Sequence, residues 1–168
     1  MIDNEPAWVT DVLRFWFEEL AALDWFVRND AVDDSIRQRF FSLHGQVTAD
    51  GGVPLTSPPR MLLAALLVLD QFSRNLYRDD PRAFGADAAA RALARSIVAQ
   101  GLDRAMTPQE RLFVYLPFEH SENADDQALA VLPLKILGRI DDDDSAAYLG
   151  VGLADTLITR LSQIRSFA

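Results

Sequence analysis

The sequence predicts an all-α protein built from antiparallel helix pairs, about seven helices in a single domain spanning 1–168. Three observations carry this expectation. Apolar residues recur at helical spacing almost throughout, and no alternating run is long enough for a useful strand. Proline or a short polar capping residue opens most of the periodic stretches. A chain of 168 residues can bury about two-thirds of the surface its unfolded form exposes, so one core suffices.

Pro6 opens the first helix, whose apolar positions include Val9, Val12, Leu13, Trp16 and Leu20, and Trp25-Phe26 follows as an aromatic connection. Asp33 or Asp34 is expected to cap the second, with Ile36, Phe40, Phe41 and Leu43 on its inner face and Asp50-Gly51-Gly52 as its end. Ser57-Pro58-Pro59 supplies a cap and a first-turn proline for the third, read as one helix through Arg78. Asp79 or Asp80 with Pro81 starts the fourth, whose alanine-rich body ends at Gly101. Thr107-Pro108-Gln109-Glu110 is the clearest local signal, a reciprocal capping box that starts the fifth. Pro117 is expected to kink or end that helix. A sixth helix is expected over about 125–137 and a last one over about 145–166, with Leu149, Leu153, Leu157 and Leu161 as its stripe. The acidic run Asp141 to Asp144 between them reads as an exposed turn, because it lacks the alternating ligands and central glycine of a calcium loop.

Charge and composition narrow the function classes. The formal charge is -9, and the basic residues are scattered arginines with Lys135 the lone lysine. That field repels phosphate backbones and argues against nucleic acid as a partner. With no cysteine, disulfides and thiolate chemistry are excluded. No secretory signal is legible at the amino end, and the apolar run 61–69 is about half the length a membrane span needs, so a cytoplasmic location is expected. Small molecules, peptides or a second copy of the chain remain as partners. No motif requires a cofactor, so its identity stays unknown.

Two polar clusters stand out. In 69–78, Asp70, Gln71, Arg74, Asn75 and Arg78 continue the buried leucine face of the third helix instead of opposing it. With Asp70 set at zero and about 100° per residue, Arg74 and Arg78 fall near 40° and 80°, above Leu63 and Leu67. In 115–122, Glu119, His120 and Glu122 follow Pro117, with Tyr115 and Arg111 on nearby faces. Polar groups carried into a core must be paired. The clusters therefore form either a structural lock between helix ends or the walls of a binding site. In the binding reading, Arg74 or Arg78 holds an anionic or carbonyl-bearing ligand that Asp70 orients. Acid–base chemistry would fall to His120 with Glu122 or Asp70, and a single metal held by His120 with Glu119, Glu122 or Asp70 is the variant of that reading. His44 has no ligand-like neighbour in the sequence.

The ordered segments Phe15-Trp16-Phe17, Trp25-Phe26, Leu69-Asp70-Gln71-Phe72-Ser73-Arg74-Asn75 with Tyr77-Arg78, Pro81-Arg82-Ala83-Phe84 with Asp87, and Tyr115 to Glu122 with Gln127 resemble the bacterial domain-of-unknown-function family 924. The resemblance covers roughly 8–137 and implies a compact tetratricopeptide-like helical fold, with peptide or protein binding as the fold-level analogy. It also implies an arginine-, histidine- and asparagine-rich closing segment, which 138–168 does not match.

Overall fold

The computed structural model describes residues 5–121 together with 123, 125, 126 and 129. All regular structure among them is helical, in five rods. The first is α1 (Ala7–Arg14), which widens into a π turn at Phe15–Glu19. A short 3₁₀ turn, Ala22–Trp25, leads to α2 (Asp30–Ala49). The central rod runs through α3 (Pro59–Leu67), a π turn (Val68–Phe72) and α4 (Ser73–Leu76). A 3₁₀ turn at Pro81–Phe84 precedes α5 (Asp87–Ala99), and another at Leu102–Ala105 precedes α6 (Pro108–Glu119). The helices expected at about 125–137 and 145–166, and the acidic run between them, lie outside the described residues apart from Asp125, Asp126 and Leu129.

The central rod is the core. Residues 62 to 73 are all buried, and α1, α2, α5 and α6 pack around this rod. The two π turns bring their aromatic residues together: Phe72 lies 6.1 Å from Phe15 and 5.8 Å from Trp16, ring centre to ring centre. Phe40 of α2 and Phe113 of α6 close the cluster in tilted and edge-on contacts of the kind aromatic pairs prefer. A π turn loosens the regular helical ladder, and Trp25 answers the first one by donating its Nε1–H to Trp16 O at 2.8 Å.

Several boundaries differ from expectation for identifiable reasons. Asn29, not Asp33 or Asp34, caps α2, accepting from Ala31 N–H at 3.1 Å. Asp33 lies a turn further in and is buried. Pro58 holds the cap position of α3, so Ser57 falls outside it and donates its N–H to Pro54 O instead. The central helix stops at Leu76, two residues before Arg78. Phe41 is exposed, on the outer side of α2. Pro117 does not end α6, which continues two residues past it to Glu119. The Thr107–Glu110 box forms as expected, with Glu110 N–H donating to Thr107 Oγ1 and Thr107 N–H to Glu110 Oε2. Gly101 ends its segment in the left-handed region at φ 68°. No helix among the described residues is long and apolar enough to cross a membrane.

Candidate functional site

The second π turn places Asp70 inside the protein, with 1% of its surface exposed. Each of its oxygens has a neighbour. Gln71 Nε2–H donates to Oδ2 at 2.6 Å, while Oδ1 sits 3.2 Å from both Arg74 Nη2 and His120 Nδ1. His120 caps the carboxyl end of α6, so the two polar clusters meet across the helix interface. Burial works to raise the Asp70 carboxyl, but His120, Arg74 and Gln71 outweigh it and hold the group below the ordinary aspartate value.

Arg74 is the hub. Its Nη2 also donates to Asp87 Oδ1 at 3.1 Å, its Nη1 to Ala83 O at 3.3 Å, and its guanidinium lies 5.3 Å from the centre of the Phe84 ring. Nη2 stands 2.6 Å from His120 Nδ1. A guanidinium only donates, so this contact makes Nδ1 an acceptor and puts the proton of the neutral ring on Nε2. A ring protonated at Nδ1 would instead donate to Asp70 and turn that proton against Arg74. The site therefore has two arrangements that differ in which ring nitrogen carries the proton. Among the described residues Nε2 has no hydrogen-bond partner, and the His120 side chain is about one-fifth exposed, while Phe84, over which the Arg74 guanidinium lies, faces solvent.

The remaining candidates lie elsewhere. Asn75 and Arg78 both turn to Asp33 of α2: Asn75 Nδ2–H donates to Oδ1 at 2.7 Å, and the Arg78 fork spans both oxygens. Tyr115 is buried on another face of α6, donating its hydroxyl to Asp103 Oδ2 at 3.0 Å, with Arg111 also near that carboxylate. Burial and the Asp103 carboxylate raise the Tyr115 hydroxyl above its usual value. Glu119 is buried at the end of α6, and Glu122 lies outside the described residues. His44, unremarkable in the sequence, is buried with its Nε2 2.8 Å from Ser73 Oγ.

Asp87, Ala83 and Phe84 complete the surroundings of Arg74, yet sequence reasoning gave them no site role. Their signal was the Pro81 turn: it reverses the chain just after the central rod, so residues behind it return over Arg74. Among the described residues, no group of three or more histidine, cysteine, aspartate or glutamate side chains is arranged to hold a metal.

Fold and site together define a helical protein whose π-turned central rod buries an acid between an arginine and a histidine. The chain belongs to the family described as bacterial protein of unknown function (DUF924), whose model matches residues 12–164. That span takes in most of the closing segment that the sequence set apart. The chain is also similar to a solved protein of unknown function from Agrobacterium tumefaciens, 28% identical, with a TM-score of 0.72 over 90% of this chain and 82% of that one. No curated protein matches it.

Proposed function

We propose that the protein binds a small molecule or a peptide group at the Asp70–Arg74–His120 cluster, with His120 Nε2 as the contacting atom. One observation carries the reading. Nδ1 is engaged from inside by a buried acid and an arginine, which orients the ring, while Nε2 has no hydrogen-bond partner among the described residues on a side chain about one-fifth exposed. Polar groups locked by packing and partly open to solvent are what ligand sites are made of. In the tautomer set by Arg74, Nε2–H is a donor and suits a carbonyl or carboxylate oxygen. Arg74 then acts mainly by holding His120, since both its Nη atoms already have partners.

Acid–base catalysis is the second reading, favoured by the Asp70–His120 contact. A carboxylate at one ring nitrogen leaves the other free to take or give a proton. We further read the packing of α5 against α6, and of α2 against α4, as the tetratricopeptide-like pairing of a cytoplasmic protein.

The test is native mass analysis of the full chain against a metabolite and peptide mixture. Binding predicts a retained compound lost in His120→Ala and weakened in Arg74→Ala, but kept in Arg37→Ala at an exposed site. Retention unchanged in His120→Ala would sink the proposal. Turnover of the retained compound that vanishes in both His120→Ala and Asp70→Asn would favour the catalytic reading.

A further inference from the structure

Away from the Asp70–His120 cluster, the described residues enclose a cleft of about 780 Å³ near the start of the central rod. Its apolar wall includes Trp8, Leu43, Val47, Val53 and Met61, contributed by α1, α2, the following loop and α3. The polar side chains lining it are those of Gln46 and Asp50, and among the described residues no basic side chain lines it.

The position of Asp50 sets the sign of the site. It is the exposed residue that ends α2, a helix of 20 residues whose dipole places partial negative charge at that end. Carboxylate and dipole thus add, in a chain whose formal charge is already -9.

The wall is held in shape before any ligand arrives. Gly51 N–H donates to Thr48 O and Gly52 N–H to Val47 O at 2.8 Å, closing the helix end. Further on, Leu55 O accepts from Gln100 Nε2 at 3.2 Å, tying the loop to the end of α5. A preformed apolar concavity loses little conformational freedom on binding.

We propose that this cleft binds an amphipathic organic cation, with an alkyl or aryl body against the Trp8–Met61 wall and an ammonium group beside Asp50. An anionic amphiphile of the same shape meets two like-signed sources, and a neutral one gains nothing from them.

Calorimetry on the full chain at neutral pH, with n-octylamine, octan-1-ol and octanoate as probes, tests this. The amine is expected to bind once per chain. Octan-1-ol should bind about two- to fivefold more weakly, the range of an exposed ion pair, and octanoate more weakly again. Asp50→Asn should weaken the amine and narrow its advantage over the alcohol to what the helix end supplies, while leaving the alcohol unchanged. Ala92→Phe fills the cleft from an exposed position on α5 and should abolish binding with unchanged circular dichroism. No saturable amine binding, several amines per chain, octanoate matching the amine, or undiminished binding in Ala92→Phe would each overturn the proposal.

Discussion

Arg78 forks onto Asp33 across the seam between the central rod and α2, with Nε donating to Oδ2 at 2.6 Å and Nη2 to Oδ1 at 2.7 Å. Asn75 adds a third donor to the same carboxylate. Asp33 is buried, whereas the Arg78 side chain is 30% exposed, so the arginine keeps part of its hydration when the pair breaks. The asymmetry makes the two truncations unequal. Arg78→Ala leaves a buried carboxylate with Asn75 alone and should cost on the order of 3 kcal/mol. Asp33→Ala frees an arginine that can turn to water and should cost about 1–2 kcal/mol. Equal losses in urea denaturation would contradict this reading.

The same carboxylate shapes the acid response. Burial works to raise Asp33, but the Arg78 fork and Asn75 prevail and hold it below its ordinary value; Asp70 is held down in the same direction. Between the depressed folded values and the unfolded value of about 3.9, the unfolded chain binds protons that the folded chain does not. Stability from both groups is therefore intact above the unfolded value and is lost as pH falls through the folded ones. Asp33→Asn should flatten the acid limb of a plot of denaturation midpoint against pH. A limb as steep as in the parent would exclude Asp33 as a source.

His44 loads the range just above. Ser73 Oγ–H donates to Leu69 O at 2.7 Å, so its lone pair accepts from His44 Nε2–H at 2.8 Å, and burial pushes the imidazole below its ordinary value. An unfolded histidine takes up its proton near pH 6.5, above the folded value, so stability should begin to fall as pH drops through about 6.5. His44→Gln keeps a donor for Ser73 and removes the titration. Comparing midpoints at about pH 7.5 and 5.5 should show a smaller drop in this variant than in the parent. Ser73→Ala strands the His44 donor and should cost about 1–3 kcal/mol at either pH.

How much of this was legible depends on whether local chemistry or phase decides the outcome. The Thr107–Glu110 box and the Gly101 stop are local, and they stand where the sequence puts them. The meeting of Asp70, Arg74 and His120 was legible too, because polar residues continuing an apolar stripe must find partners inside. Asp33 was misread as a cap since α2 starts among several short polar residues, any of which can serve. Its real signal was periodicity: Asp33, Ile36, Phe40, His44 and Val47 form the buried stripe of α2, which places an acid and a histidine in the core. The π turn at Val68–Phe72 left no such trace. Its residues, Val68-Leu69 followed by Asp70-Gln71-Phe72, fit a regular helical period as well as a π turn, so the sequence reads straight through it as one helix.

The proton on His120 is the most direct handle on the site. Arg74 Nη2 lies 2.6 Å from Nδ1 and Asp70 Oδ1 lies 3.2 Å from it, and the two neighbours demand opposite things of that nitrogen. The shorter contact, from a group that can only donate, sets the neutral ring with its proton on Nε2. Nitrogen-15 NMR of the full chain under conditions where the ring is neutral should therefore show Nε2–H. Arg74→Ala removes the donor and leaves Asp70 as the remaining inner partner, so the proton should move to Nδ1 and Nε2 should become an acceptor. Asp70→Asn should not produce that move, since Arg74 still needs a bare Nδ1. A parent protein with its proton on Nδ1, or an Arg74→Ala variant with an unmoved proton, would show that Asp70 and not Arg74 governs the ring, and the preference for oxygen-bearing ligands would fail with it.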